Sequence, residues 1–207
     1  MEGHNEQDAG LAQLQIDVML SQIQPHFLYN SLAVISHLCK RDPNEAQRAI
    51  QDLSAFLRGN MESLKKRSPI PFAQELAHVR HYLYLEQRRF QARLKVVYDI
   101  EADGFLVPAL SLQPLAENAV RHGILKKEEG GVVTIRSREK DDCFLVQVED
   151  NGIGFRRAGQ QPDLGDHCHI GIENVRGRLG LMVHGTLTID SDDSGTTVTI
   201  HIPKPKE

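Results

Sequence analysis

The apolar positions of this chain change period once, near residue 90. In the first part Leu11, Leu14, Val18, Ser21, Pro25, Leu28, Leu32 and Ile35 follow at alternating steps of three and four, the seam of an amphipathic helix. Asp42-Pro43 interrupts the stripe, because a residue ahead of proline avoids the helical region. A second stripe, Ala46, Ile50, Leu53, Leu57 and Leu64, runs toward Ser68-Pro69. A third follows at Phe72, Leu76, Val79, Leu83 and Phe90. Three seam-bearing helices joined by short proline-marked turns predict a helical hairpin or bundle over residues 1–90. So small a hairpin has little core of its own, and pairing with a second copy is the simplest way to cover its seam.

From there the pattern alternates. Leu94 to Ile100, Val132 to Ser137, Phe144 to Val148, Leu187 to Asp190 and Thr197 to Ile202 read as strands. Two helical stretches, Leu110 to Ile124 and Ile170 to Met182, interrupt them. The order predicts an α+β chain in which residues 91–207 form an α/β sandwich with a mixed, mostly antiparallel sheet.

Composition narrows the classes without choosing among them. Apolar residues at 40% and charged residues at 25% of 207 exclude a disordered or collagen-like chain. Twenty-four basic against 28 acidic side chains leave −4, too balanced for nonspecific binding to nucleic acid. The charge is uneven: residues 1–95 carry 12 basic and 10 acidic groups, net +2, so residues 96–207 carry 12 and 18, net −6. Cys39, Cys143 and Cys168 make no disulfide framework, which points to a reducing compartment. Neither a membrane-length apolar run nor a signal-like start is present, so the chain as written reads as cytoplasmic.

Four clusters offer chemistry. Ser21 to Asn30 places Pro25 inside the first seam, where it denies a hydrogen bond to the Ser21 carbonyl and kinks the helix at roughly 3 kcal/mol. His26 then falls about 100° round the helix, on its flank, as a reachable imidazole or an ordinary surface histidine. Leu112 to Gly123 sets Glu117, Arg121 and Asn118 near one helical face, a carboxylate, a guanidinium and an amide suited to hydrated metal and phosphate. Val148 to Phe155 follows a strand with Asp150, Gly152 and Gly154: a fixed acceptor, then backbone open to close approach, or else a plain Asp-Asn-Gly turn. Gly171 to Leu179 reads as a glycine opening a helix, with free N–H groups for a phosphate. The polar stretch Arg156 to His169 ahead of it has the length of a lid. Neither GxGxxG nor GK[ST] occurs, so no Rossmann or P-loop site is implied.

In this order the clusters resemble the kinase core of LytS-type sensor histidine kinases. QPHFLYNSL is similar to their phosphoacceptor motif, and LQPLAENAVRHG to the asparagine box of the wider GHKL ATPases. VEDNGIGF and GIENVRGRL resemble the two glycine boxes, and Ser194-Gly195-Thr196 the last glycine-threonine turn. The likeness runs from about Leu11 to Pro203. It implies ATP and Mg²⁺ as cofactors and His26 as the phosphoacceptor nucleophile. Asn118 would hold Mg²⁺, with Glu117 beside it positioning water or metal, while Arg121 and His122 face phosphate oxygens. Asp150 would take the adenine amino group, Gly152 and Gly154 the nucleotide's approach, Gly171 the phosphates, and Thr196 the adenine side. A homodimer, an upstream sensor and a response regulator carrying an acceptor aspartate complete the implied system, in which the core is attached to a membrane through its sensor. No acidic residue follows His26; Asn30, one turn on, orients the imidazole but is no base. Two other readings are compatible with parts of the sequence. One is a nucleotide-binding pseudokinase or scaffold of the same fold. The other is a metal module on His167, Cys168 and His169 with Cys143 or His184, although neighbours on an extended loop point apart.

Overall fold

A computed structural model describes residues 25–154 and 166–204, the side chains of Leu64 and residues 166–170 excepted. The expected seam from Leu11 to Gln24 lies outside the described residues. The chain divides into two compact units, Met1–Lys65 and Lys66–Glu207.

In the first unit α1 (Pro25–Arg41) and α2 (Pro43–Lys65) are separated by Asp42 alone. Its N–H bonds back to the Leu38 carbonyl, and its Oδ1 accepts the Glu45 N–H at 3.0 Å. One aspartate thus ends one helix and caps the next, with Pro43 at the first helical position, where its missing N–H costs nothing. Phe27, Ser31 and Ile35 are buried on α1, and Ala46, Ala49, Leu53, Phe56 and Asn60 on α2. The Phe27 and Phe56 rings meet at 4.9 Å. This face is displaced from the seam read in the sequence. Leu32 and Ile50, which that seam placed inside, are 50% and 51% exposed. Each helix carries two apolar stripes, and periodicity alone does not say which one its hairpin partner takes.

The second unit opens with β1 (Ile70–Pro71), α3 (Phe72–Phe90), β2 (Leu94–Ile100) and β3 (Leu106–Val107). After α4 (Gln113–Asn118) come β4 (Gly131–Glu139), β5 (Cys143–Asp150), α5 (Asp166–Val183), β6 (Thr186–Asp192) and β7 (Gly195–Pro203). The five long strands form one sheet in the order β2-β4-β5-β7-β6, parallel between β2 and β4 and antiparallel elsewhere. This is the expected mixed sheet. A small ribbon of β1 and β3 adds to it, too short to show a period in the sequence.

The expectation of a first module reaching residue 90 and the compact units part company over α3. That helix packs on α4 and β2 inside the second unit, and its second half is buried nearly all round, including Tyr82, Leu83, Tyr84, Leu85 and Glu86. Phe72 at its start stacks on Phe105 at 4.7 Å, and Phe105 on Phe144 of β5 at 4.6 Å. So wide an apolar surface needs a sheet and a helix to cover it, not a hairpin.

Candidate functional site

Strand alternation builds the site's floor. Along β5, Val146, Val148 and Asp150 are buried in turn, so the inward row ends on a carboxylate. Register sets Asp150 between Val133 of β4 and Thr196 of β7. Its carboxylate accepts the Gly152 N–H at 2.9 Å and the Thr196 N–H. Burial nonetheless pushes its pKa up to about 6, with Glu149 adding to the rise. Keeping it ionised at neutral pH therefore costs on the order of 3 kcal/mol. So expensive a group in a core is characteristic of a functional position.

Backbone, not side chains, closes around that carboxylate. A methyl on Gly123 would stand 2.3 Å from Asp150 Oδ1, and one on Gly152 would stand 2.3 Å from the Gly123 carbonyl carbon. Gly154 has φ of +60°, and a Cβ there would meet the Asp192 carbonyl oxygen at 1.6 Å, so its position admits only glycine. Asn151 ties down the start of β4 by accepting the Val132 N–H at 2.7 Å.

The helix expected from Leu110 to Ile124 is broken into three pieces. α4 runs only to Asn118, a wide π turn follows over Ala119–Gly123, and a 3₁₀ turn over Ile124–Lys126. Such a widened turn inside a helix is a frequent mark of a functional site. Here it presses Gly123 against Asp150 while Leu115, Asn118, Ala119 and His122 turn to one side. Together with Val148, Asp150, Gly154, Ile172, Thr196 and Val198 they line a cavity. Its walls are apolar, its floor is a carboxylate, and its rim carries an amide and an imidazole. That donor set suits a flat heterocycle with an exocyclic amine, followed by a polar group at the rim. The cavity is narrow, about 30 Å³.

Five of the residues named from sequence thus meet: Asn118, His122, Asp150, Gly154 and Thr196. Thr196 is held by Ser191, whose hydroxyl lies 2.9 Å from its own. Burial and the neighbouring cations Arg121 and Lys126 keep the His122 pKa below its usual value, so its ring is neutral near pH 7. Gly152 sits directly behind the lining, against Gly123.

Other expected site residues stand elsewhere. Glu117 and Arg121 do not share a face with Asn118: both lie outside the cavity lining. The Glu117 carboxylate instead accepts from Gln113 Nε2 at 2.8 Å, and burial raises its pKa. Gly171 does not open a helix. α5 begins at Asp166, so Gly171 lies inside it with its N–H within the helical ladder, and a Cβ there would touch only Pro114 at 3.8 Å. The sequence reading ended the lid at His169, but residues 166–169 are already helical, and residues 155–165 lie outside the described set. The His167, Cys168 and His169 side chains also lie outside it. Among the described residues no group of three His, Cys, Asp or Glu could hold a metal ion. Asn118 at the rim is a hard oxygen donor of the kind Mg²⁺ accepts alongside phosphate oxygens.

In the first unit His26 is exposed on the first turn of α1, and its Nδ1 lies 3.0 Å from Asn30 Nδ2. The i, i+4 spacing fixes the ring's orientation and leaves Nε2 as the nitrogen that Asn30 does not engage.

A family profile described as histidine kinase matches residues 14–94, and one described as histidine kinase-, DNA gyrase B- and HSP90-like ATPase matches residues 109–206. A Bacillus subtilis (strain 168) protein, YwpD, is 35% identical over 205 residues, covering 94% of this chain and 74% of the relative. The sensor histidine kinase YpdA of Escherichia coli (strain K12) is 35% identical over 200 residues, 93% of this chain and 34% of the relative. The sensor protein LytS of Streptococcus mutans is 33% identical over 201 residues, again 93% and 34%. The chain therefore spans about a third of the length of these sensor proteins. The histidine kinase domain of the Erythrobacter litoralis EL346 blue-light activated kinase superposes with a TM-score of 0.53 at 20% identity, over 87% of this chain and 96% of that one, a likeness of fold.

Proposed function

The chain belongs to the LytS-type histidine kinases, and from that premise we propose that it is an ATP-dependent protein histidine kinase that phosphorylates His26 and passes the phosphoryl group to an aspartate of a response regulator. The observation that carries the reading is the convergence of Asn118, His122, Asp150, Gly154 and Thr196 on one apolar cavity at the end of β5. Asp150 receives the adenine amino group on its ionised carboxylate. Asn118 and His122, at the rim, face the phosphates. Mg²⁺, held by Asn118 and the phosphate oxygens, supplies charge neutralisation when bound.

Phosphoryl transfer asks the protein for positioning more than for covalent chemistry. The lone pair of His26 Nε2 forms the bond to the γ-phosphorus as the bond to the bridging oxygen breaks, and ADP leaves with that electron pair. The ring proton on Nδ1 is released to water after transfer. An amide can turn either end toward Nδ1, so Asn30 holds the ring whether it accepts that N–H or donates to the bare nitrogen. A phosphorylated imidazole is a reactive donor, suited to handing its group on.

The outward stripe of the hairpin supports a homodimer: Tyr29, Leu32, Ile50 and Met61 are 72%, 50%, 51% and 45% exposed. Functionally, the helical hairpin acts as the dimerisation and phosphoacceptor module and the second unit, α3 included, as the ATP-binding module. An upstream sensor, attached to a membrane in a longer kinase, supplies the signal; among the described residues no helix is long and apolar enough to cross a membrane.

Incubation with γ-labelled ATP and Mg²⁺ tests the proposal on wild type, His26→Gln and Asn118→Asp. Acid-labile label is expected on wild type alone. Label persisting on His26→Gln would sink the site assignment, and nucleotide binding without any label would make the chain a scaffold.

A further inference from the structure

The short helix that carries Asn118 is held in place by a different helix. α4 has six residues, too few to stand alone, and Leu112 at its start offers no capping side chain. The backbone N–H groups leading into it are held from α3 instead. Glu75, fully buried, accepts the Leu110 N–H on Oε2 and the Leu112 N–H on Oε1, each at 3.0 Å, across as many as 37 residues of sequence. Leu110 adopts a φ of +58°, a strained conformation for a leucine, within this grip. From the other side Arg178 of α5 donates to the Leu110 carbonyl at 2.7 Å and attracts Glu75 electrostatically.

Three residues along α3, and on the same face, His78 makes a second hold. Its Nε2–H donates to Gln113 Oε1 at 2.7 Å, and Gln113 Nε2 donates to Glu117 Oε1 at 2.8 Å. Gln113 can only accept at Oε1, so the proton sits on the His78 nitrogen that faces it. The chain of bonds runs along one side of α4, and Asn118 faces the cavity from another.

We propose that Glu75 and His78 are positioning residues for the nucleotide site: they set the start and the roll of α4, and with it the direction in which Asn118 faces. The inference rests on the nucleotide-binding reading above. A buried carboxylate and imidazole are costly where leucines would fill the same space, unless their bonds specify something that packing does not. The roll of a helix is such a quantity: Leu115 and Ala116 would pack nearly as well a few degrees away, but an amide aimed at a metal ion would not. Displacement of about 1 Å at a reacting centre is worth up to a hundredfold in rate.

Calorimetric titration of the intact chain with ADP, with and without Mg²⁺, separates positioning from general damage. His78→Leu is expected to weaken binding about tenfold with Mg²⁺ and less than about twofold without it, since Asp150 still receives the base. His78→Gln, which returns an N–H donor to nearly the same place, restores the Mg²⁺-dependent part. For Glu75→Gln, which keeps one acceptor, hydrogen exchange at the Leu110 or Leu112 amide rises in the protein without nucleotide. Equal losses in both titrations, no loss in either, or failure of His78→Gln to restore binding would overturn the proposal. A wild-type chain that does not bind ADP would instead overturn the reading beneath it.

Discussion

Gly123 and Asp150 are packed so closely that a methyl group on the glycine would stand 2.3 Å from Oδ1 of the aspartate. The contact joins the π turn after α4 to the end of β5, so the helix bearing the rim groups and the strand bearing the floor share one point of closest approach. Gly123→Ala must push one of them away. Overpacking of this kind costs about 1–3 kcal/mol. The expected outcome is a lower melting temperature together with at least a tenfold loss of ADP affinity, read by thermal denaturation and calorimetry.

Asp150→Asn should separate stability from binding. The native pKa is pushed up to about 6 from 3.8, so between those values the folded chain holds more protons than the unfolded one. Stability contributed by this group is therefore lost as pH rises from about 4 to 6, and the ionised form is a burden above that. Asparagine keeps an acceptor for the Gly152 N–H without the charge. The variant should melt higher than wild type at pH 7.5 by an amount equivalent to about 2–3 kcal/mol, with the difference vanishing below pH 4. It should bind adenine nucleotides poorly throughout. An unchanged melting temperature at pH 7.5 would contradict the buried-charge account.

The same shift predicts a pH dependence in the wild type. A protonated Asp150 cannot accept from the adenine amino group with both oxygens free of hydrogen. ADP affinity should fall as pH is lowered through about 6, and this part of the profile should be absent in Asp150→Asn. Titrations at pH 5, 6, 7 and 8, about one unit apart, resolve it.

In the proposed reaction Asn30 touches only the His26 ring. Removing a single neutral hydrogen bond is worth about 1 kcal/mol, so Asn30→Ala should slow His26 labelling about fivefold. Nucleotide affinity should stay at the wild-type value, because Asn30 belongs to the hairpin unit and the cavity to the other. A matching loss of affinity would mean that Asn30 does something other than orient the ring.

The exposed stripe predicts an oligomeric state. Leu32→Glu or Ile50→Glu places a charge on the outward face without touching Phe27, Ile35, Leu53 or Phe56 inside the hairpin. Sedimentation should show a dimer for wild type and a monomer for either variant, with helical content retained. A variant that remains dimeric would move the interface elsewhere.

Much of this was written plainly along the chain. The change from a helical to a strand period near residue 90, the proline-marked turns and the succession of strands and helices along the chain all follow from local pattern, since solvent and core select the same side chains wherever an element runs. Motif order named five residues of the cavity, Asn118, His122, Asp150, Gly154 and Thr196, and missed its apolar walls. What lay beyond reach was rotational. Glu117 and Asn118 are neighbours in sequence, and the π turn together with the grip of α3 decides that one faces Gln113 and the other the cavity.

The hairpin and the α3 packing show the same division. Periodicity marked one stripe on each of α1 and α2, with Leu32 and Ile50 in it, yet folding chose Phe27 with Phe56 for the inside and left Leu32 and Ile50 outward. Gly171 reads as a helix opening in isolation, but α5 extends back to Asp166. The cap on α4 comes from Glu75, far away in sequence. Period, turn and motif are short-range properties, written residue by residue as soon as water excludes apolar groups. Which face meets which, and which distant carboxylate ends a helix, is set when separate elements pack and every buried polar group must find a partner.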